Sequence, residues 1–230
     1  MGYYSDFEKS PLPVQDLRPV PPARTAQPAG MYRARLKRLV DILLVCLSAP
    51  VWLPVVAALA LFIRRDGGPA FYTQKRVGRD GTEFEFLKLR TMIVGADDYL
   101  RAYLAENPAA KAEWDLHQKL QDDPRITGFG RFLRKSSLDE LPQLLNVLRG
   151  DMSIVGPRPM MPNQKSLYPG TAYYRMRPGL TGFWQISDRH GTTFAARAQY
   201  DLEYYERMSL MTDLKVILGT VRVVLRGTGV

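Results

Sequence analysis

Cysteine and histidine are both scarce in this sequence. Cys46 is the single cysteine among 230 residues, so no disulfide can form within the chain, and a reducing compartment is expected. It lies inside an apolar run, where we expect a small core residue. The two histidines, His117 and His190, are far apart, so the chain offers no ligand spacing typical of a zinc site.

Acidic residues are outnumbered by basic ones. The chain carries 32 Lys and Arg against 23 Asp and Glu, a formal charge of +9. Such a balance favours an anionic partner, which could be nucleic acid, anionic lipid or a phosphorylated substrate. A length of 230 residues is enough for one domain with a sizeable core plus additional segments.

The N-terminal segment has few large aliphatic residues. Residues 1–32 are rich in proline and offer little to bury, so we predict a disordered tail. No apolar core follows a basic start in this segment, and no signal peptide is therefore expected.

Charge is absent from residues 42–63. As one straight helix these 22 residues would be about 33 Å long, which is enough to cross a bilayer. A buried core helix rarely needs so long an uncharged run. However, Pro50 and Pro54 remove backbone donors near the middle, which breaks or kinks a helix.

Both flanks of this run are basic, and positive residues prefer the cytoplasmic side of a membrane. The flanking cations are Arg33, Arg35, Lys37, Arg38, Arg64, Arg65, Lys75 and Arg76. We therefore predict a re-entrant helix hairpin over residues 33–65 with its membrane bend at Ser48 and Pro50. Ser48 would supply a donor to the carbonyls that the bend frees. A kinked helix that crosses the membrane is the alternative.

The segment FYTQKRVGRDGTEFEFLKLRTM predicts a β-hairpin around Asp80-Gly81. In a regular second strand, two cations, Lys88 and Arg90, extend an aromatic face. A solvated strand end is another interpretation of the same pattern.

The remaining segments are mostly helical in pattern. Helices are predicted over residues 95–121, with an interruption at Asn107-Pro108, and over residues 195–205. Three cations of the last apolar segment share one face, which suits either a membrane-interface helix or a helix docked on the core. These cations are Lys215, Arg222 and Arg226. The predicted fold class is α+β: a mainly helical membrane-associated domain with a small β-hairpin, a re-entrant membrane helix hairpin and amphipathic interfacial helices.

Asp139 and Glu140 are adjacent acids among many cations. Ser137 with Glu140 has the pattern of a capping box, which alone would explain both acids. Alternatively, one carboxylate attacks phosphorus while its neighbour helps to hold Mg²⁺ or takes a proton. Arg158 favours this second interpretation, because two prolines stiffen its loop and Arg binds phosphate through two parallel hydrogen bonds.

Four segments together resemble the bacterial sugar transferases, the monotopic phosphoglycosyl transferases that start glycoconjugate assembly. They are KRLVDILLVCLSAP, FYTQKRVGRDGTEFEFLKLRTM, FGRFLRKSSLDELPQLLNVLRGDMSIVGPRP and RPGLTGFWQIS. The resemblance implies transfer of a sugar-1-phosphate from a UDP-sugar to polyprenyl (undecaprenyl) phosphate, with release of UMP. This transfer would be the first step of exopolysaccharide synthesis, and the sugar would be a hexose, galactose or glucose.

The resemblance also implies roles for individual residues. Asp139 becomes the nucleophile that forms a phospho-Asp intermediate and a ligand of Mg²⁺, with Glu140 as its partner acid. Lys88, Arg134 and Arg158 match the phosphate-site cations of the family. The full set of expected substrate-binding residues is Lys88, Arg90, Arg134, Arg158 and Arg189. Where the family commonly has Gly-Arg-Asn, this chain has Asp-Arg-His at 188–190, so Arg189 could pair with its acidic neighbour instead.

Residues 66–230 are then expected to form a catalytic domain at the cytoplasmic face of the bacterial inner membrane, with a C-terminal interfacial helix. Its partners would be the UDP-sugar, the polyprenyl phosphate and membrane lipids, while a homo-oligomer is left open. The rival function is a non-catalytic basic membrane-surface adaptor of a polysaccharide assembly complex. Nucleic-acid binding is not expected, because the long uncharged run fits it poorly.

Overall fold

The computed structural model describes residues 30–117, 120–187 and 193–225. Most of these residues are helical, and the strands among them form two small sheets. The helices are α1 (Lys37–Ile63), α2 (Ala96–Glu106), α3 (Pro108–His117), α4 (Gly128–Lys135), α5 (Gln143–Arg149), α6 (Phe183–Ile186), α7 (Arg197–Arg207) and α8 (Leu210–Leu225). The strands are β1 (Phe71–Val77), β2 (Glu83–Leu89), β3 (Ser153–Val155) and β4 (Gly179–Thr181). Residues 1–29 of the predicted tail lie outside the described residues.

Strands β1 and β2 form the predicted antiparallel hairpin. A short turn carries the chain between them, and both Asp80 and Gly81 adopt positive φ angles, of 58° and 78°. Glycine adopts such angles without strain, and Asp tolerates them better than most residues. The interruption at Asn107-Pro108 is also confirmed, since α2 ends at Glu106 and α3 begins at Pro108.

The second sheet is parallel and short. Ser153 of β3 pairs with Gly179 of β4, and Val155 pairs with Thr181. Close backbone approach explains a glycine at this point, because a Cβ on Gly179 would lie 2.1 Å from the backbone nitrogen of Gly156. The sheet therefore holds the loop that follows β3, which contains Arg158, directly against the segment that leads into α6.

The long apolar segment forms a single helix, α1. Its backbone stays helical through Pro50 and Pro54, so the two-armed hairpin predicted from the sequence is not confirmed. The Ser48 hydroxyl donates to the carbonyl oxygens of Leu44 and Val45, at 2.7 and 3.1 Å. Pro50 removes the helical donor of the Cys46 carbonyl, four residues before it, so the Ser48 hydroxyl does not serve the carbonyl that this proline frees.

One narrow stripe of α1 is buried against the rest of the domain. It consists of Asp41, Val45, Trp52, Val56 and Ile63. The other faces expose large apolar side chains, such as Leu47 at 77%. Cys46 also lies on an exposed face, so the prediction of a core cysteine was wrong. Only one side of this helix meets the domain, and Cys46 lies on another side.

The buried stripe of α1 joins the main hydrophobic cluster. That cluster also contains residues from the hairpin, α4 and α5, including Phe86, Leu133 and Val147. A second cluster packs α7 and α8 around β3, with Tyr204 and Val216 at its centre. The hairpin, the turn before α5 and the loop after β3 therefore belong to one packed body.

Buried polar contacts attach the N-terminal end of α1 to α8 and to β3. Asp213 of α8 accepts hydrogen bonds from Lys37, at 2.6 Å, and from the hydroxyl of Tyr204, at 2.7 Å. Asp41 of α1 accepts one from Ser153 of β3, at 2.8 Å. Buried acids of this kind need partners, so these contacts fix the position of α1 on the domain.

Candidate active site

The adjacent acids lie in a short 3₁₀ turn, Leu138–Glu140, between α4 and α5. Ser137, which precedes the turn, has a φ of 56°, and its side chain makes no capping hydrogen bond. The capping-box explanation of the acids was therefore wrong. A non-glycine residue in this left-handed region is uncommon and costs on the order of 1–3 kcal/mol, and such residues cluster at functional sites.

Lys88 joins the two acids. Its ammonium nitrogen lies 3.1 Å from Oδ2 of Asp139 and 2.8 Å from Oε1 of Glu140. Strand β2 directs this lysine towards the turn from the hairpin face that also carries Phe86. One cation thus holds two neighbouring carboxylates together and offsets their mutual repulsion.

Burial dominates the electrostatics of Asp139, whose residue is only 5% exposed. Desolvation raises the pKa of its carboxyl above the ordinary value, and the negative charge of Glu140 raises it further. Lys88 and Arg134 act in the opposite direction and favour the ionised form. A carboxylate with little hydration is a stronger nucleophile than a fully hydrated one, and the neighbouring cations help to keep it ionised.

Arg134 approaches the acid pair from α4. Its Nε donates to the hydroxyl of Thr91, at 2.9 Å, and its charge reaches Asp139. Helix α4 begins at a conventional cap, because the Thr127 hydroxyl accepts a hydrogen bond from the backbone of Gly130 at 2.8 Å. The structure therefore brings Lys88 and Arg134, both predicted from the sequence, to the acids.

Arg158 lies beyond the acid pair, in a group of three arginines. Its guanidinium carbon is 5.5 Å from the centre of the Trp184 ring, and that of Arg197 is 4.1 Å from the same ring. Arg76 of β1 reaches the backbone oxygen of Pro159, next to Arg158, at 3.4 Å. We call Arg76, Arg158 and Arg197 the arginine cluster.

The ring of Phe86 connects the arginine cluster with the acids. The Lys88 ammonium is 5.8 Å from the centre of this ring, and the guanidinium carbon of Arg76 is 5.2 Å from it. Glu140 is close enough to favour the charged form of Arg76. The acids, Lys88 and the arginine cluster therefore form one continuous polar site.

Sequence reasoning missed Arg76 and Arg197. A signal existed for Arg76, because it lies opposite Phe84 across the hairpin, and residues opposite one another project from the same face. The predicted cation-bearing face could thus have been extended across the turn. Arg197 reaches the site only because α7 packs beside α6, and no local pattern in the sequence indicates that contact.

Arg90 occupies a different environment from Lys88. Its guanidinium donates to backbone oxygens of Ile63, Pro69 and Met92, and forms a 2.6 Å ion pair with Asp66. These contacts hold the C-terminal end of α1 against the hairpin, so the donors of Arg90 are used within the protein. Substrate binding by Arg90 therefore stays a prediction, because none of its contacts in the structure supports that role. Arg189 lies outside the described residues, as do His190 and Arg226.

The oxygen ligands near Asp139 can be compared with those that the predicted Mg²⁺ requires. Among the described residues no group of three or more His, Cys, Asp or Glu side chains could hold an ion. Two adjacent carboxylates are present, however, and Mg²⁺ in proteins commonly uses one or two carboxylates together with substrate phosphates. Asp139 and Glu140 fit that mode of binding, in which the substrate supplies the remaining ligands.

The sequence profile of a known family settles the classification. The profile described as "Bacterial sugar transferase" matches residues 32–227. The chain belongs to the bacterial sugar transferase family. The resemblance seen in the sequence is confirmed, and with it the enzyme class, a phosphoglycosyl transferase.

Several named proteins are similar to this chain. The exopolysaccharide production protein ExoY of Sinorhizobium fredii is 45% identical over 202 residues, which are 87% of this chain and 88% of the relative. The UDP-galactose-lipid carrier transferase of Erwinia amylovora is 43% identical over 196 residues, 84% of this chain and 41% of the relative. The undecaprenyl-phosphate galactose phosphotransferase of Salmonella typhimurium is 44% identical, with the same two coverages of 84% and 41%. The chain thus spans less than half the length of these last two proteins.

Proposed function

We propose that the protein transfers a hexose-1-phosphate from a UDP-sugar to polyprenyl phosphate, releases UMP, and so begins exopolysaccharide synthesis. The observation that carries this proposal is the buried Asp139, held beside Glu140 by Lys88, with the arginine cluster reached through the ring of Phe86. A nucleophile and a set of cations for a diphosphate are the two requirements of such a reaction.

In the first step, a carboxylate oxygen of Asp139 attacks the sugar-bearing phosphorus. A bond forms between that oxygen and phosphorus, the bond to the uridylyl phosphate oxygen breaks, and UMP leaves with the electron pair. Lys88 and Arg134, which lie near Asp139, would offset the charge at the reacting phosphorus. In the second step, an oxygen of the prenyl phosphate attacks the phospho-Asp and frees the carboxylate, with Glu140 beside it as the partner acid.

Mg²⁺ fits this site as a cofactor held by Asp139 and Glu140. When bound, it would supply positive charge to the phosphate oxygens of the substrate. The remaining positive charge comes from the side chains of the protein.

The names of the relatives favour a hexose donor. Two similar proteins are named for galactose transfer to a lipid carrier, and a protein of Caulobacter vibrioides, 38% identical over 221 residues, is named for glucose-1-phosphate transfer to undecaprenyl phosphate. The Sinorhizobium relative is named for exopolysaccharide production. We therefore propose galactose or glucose as the sugar.

We further propose that α1 is embedded in the cytoplasmic leaflet of the inner membrane, with both of its ends at the same face of the membrane. The buried stripe extends from Asp41 to Ile63, so almost the whole helix packs on one domain. A helix that crossed the bilayer while packed in this way would draw charged parts of the domain into the hydrocarbon, which is unfavourable. Exposed apolar side chains on the other faces of α1 supply the surface for lipid.

The experiment that tests the function measures UMP release by the full-length protein in detergent. UDP-galactose, UDP-glucose and their N-acetyl counterparts are supplied in turn, with prenyl phosphate as acceptor. Asp139→Asn and Glu140→Gln should each lower turnover by roughly 10²–10⁴-fold, the range expected when a reacting acid or base is removed. Asp139→Asn should also prevent formation of a covalent sugar-phosphate adduct with donor alone.

Asp98→Asn is the matched control, because Asp98 is an exposed acid that pairs with Arg101 on α2. It should turn over at the normal rate. A basic adaptor without catalytic activity would release no UMP from any donor. An Asp139→Asn protein that stays fully active, or an adduct on another residue, would show that this mechanism is wrong.

A further inference from the structure

The arginine cluster carries more positive charge than the described acids near it, Glu140 and Asp201, offset. Within residues 30–117, 120–187 and 193–225, none of its three members forms an ion pair with a carboxylate. The Nε atoms of Arg76 and Arg197 are buried and have no hydrogen-bond partner. A buried donor without a partner costs free energy, and more when the group is charged. An anionic ligand would remove this cost.

The surroundings of Arg197 strengthen this point. Burial lowers its pKa to about 10, and the neighbouring charges of Arg158 and Arg76 act in the same direction. Asp201, one turn further along the helix, acts on the pKa of Arg197 in the opposite direction and also accepts a hydrogen bond from the Tyr168 hydroxyl at 2.8 Å. The packing on Trp184 thus holds two like charges close together, and a negative group that joined them would offset their repulsion.

The cluster lies one aromatic ring away from the acids. Lys88 and Arg76 both contact Phe86, with the acids on the Lys88 side and the cluster on the Arg76 side. The site therefore offers two places for phosphate: one at Asp139 with Lys88 and Arg134, and one at the cluster. A diphosphate that reacts at Asp139 needs two such places in a row.

Displacement at phosphorus places the attacking and leaving oxygens roughly in line. In the first step of the proposed reaction, UMP therefore leaves on the side opposite Asp139. In the second step Asp139 is itself the leaving group, so the prenyl phosphate must enter opposite it. The entering phosphate thus takes the position that the phosphate of UMP has left.

We propose that Arg76, Arg158 and Arg197 form a single phosphate subsite, which the leaving nucleotide phosphate and the entering lipid phosphate occupy in turn. This inference rests on the proposed two-step function. It assigns Arg76 and Arg197 to substrate binding. The departing UMP and the entering lipid are then recognised through the same group, a phosphate monoester. Trp184 acts as a positioning residue, since its indole ring holds two of the three guanidinium groups.

The test separates the two half-reactions of the full-length protein. Donor alone gives UMP release and the covalent adduct, and the isolated adduct with farnesyl phosphate gives transfer to the acceptor. Arg76→Gln and Arg197→Gln should each slow both half-reactions at least about tenfold, the effect of about 1.4 kcal/mol of lost charge-assisted contact. Arg207→Gln is the matched control, because it removes an exposed arginine from the same helix, and it should leave both rates within about twofold of normal.

A variant that slows only one half-reaction would overturn the shared subsite. Thermal melting identifies any variant that fails to fold. If Arg197→Gln fails to fold, Arg197→Lys is used in its place, because lysine keeps the positive charge. Arg197→Lys should then retain part of the normal rate, to the same extent in both half-reactions. A binding measurement tests the subsite even if the proposed reaction does not occur. Farnesyl phosphate should displace UMP from the unreacted protein, and both ligands should bind more weakly to Arg76→Gln. If the protein forms no adduct yet shows this competition, the proposed reaction is wrong and the subsite is supported. If both ligands bind at once, the subsite is wrong.

Discussion

Asp139 faces opposing demands, because it is buried but must be ionised to attack phosphorus. Burial raises its pKa, whereas Lys88 is the strongest of the influences that lower it. Donor turnover should therefore fall on the acidic side as pH decreases through this raised pKa and Asp139 takes up a proton. The lysine widens the pH range in which the nucleophile is available.

Lys88→Met should move this acid limb to higher pH. Loss of the cation removes an interaction that favours the carboxylate, so the pKa of Asp139 rises and protonation begins sooner as pH falls. The measurement is the pH profile of UMP release with donor alone. Lys111→Met is the control, since Lys111 is an exposed lysine that pairs with Asp115. An acid limb at the same pH in Lys88→Met and the unaltered protein would contradict this account of Lys88.

At the residue scale, chemistry was easier to predict than geometry. The acids were recognisable because two carboxylates beside a stiff arginine loop suit a phosphoryl site, but the pattern of a capping box was equally visible. Only the backbone decides between them, and Ser137 has a left-handed conformation without a capping contact. Arg197 could not be predicted, because its place depends on the packing of α7 against Trp184.

At the element scale, local signals were reliable and distant pairings were not. The hairpin turn and the break before Pro108 follow from residues adjacent in sequence. The pairing of β3 with β4 joins segments more than 20 residues apart through only two residue pairs, and neither strand has a recognisable pattern. Helix α1 shows the same limit, because an uncharged run with two prolines does not reveal which face meets the domain.

The topology of α1 can be tested with introduced cysteines. In a Cys46→Ser background, Gly30→Cys and Lys75→Cys place one exposed thiol before α1 and one after it, the second at a side chain that is 73% exposed. We expect neither thiol to react with an impermeant reagent added to intact cells, and both to react after lysis. Exposure of one thiol on the outside would show that α1 crosses the membrane.

Pro50→Leu provides a further variant in the same assay. Leucine restores the backbone donor that proline lacks, so it favours a straight helix. We expect part of the Pro50→Leu population to present the Lys75→Cys or the Gly30→Cys thiol on the outside. A labelling pattern identical to that with Pro50 would show that this proline does not determine the topology.

At the scale of the whole molecule, α8 adds a second apolar surface to that of α1. Asp213 and Val216 face the domain, while the opposite side of α8 exposes an apolar row. The row consists of Met211, Leu214, Leu218 and Val221. The sequence left open whether this helix docks on the core or lies in a membrane interface, and the described part of α8 has a face suited to each. The net charge of +9 adds attraction to anionic lipid.

The combined variant Leu214→Glu and Leu218→Glu should weaken binding to vesicles that contain anionic lipid. Both side chains are exposed, at 40% and 67%, so the fold should melt at an unchanged temperature while the apolar surface available to lipid is lost. Burial of a leucine in lipid contributes about 1.5–3 kcal/mol, so the two changes should reduce vesicle binding by at least about tenfold. Leu167→Glu is the control, because Leu167 is an equally exposed leucine on a different part of the surface, at 61%. If the double variant and this control bind vesicles equally well, the exposed row of α8 does not contact the membrane.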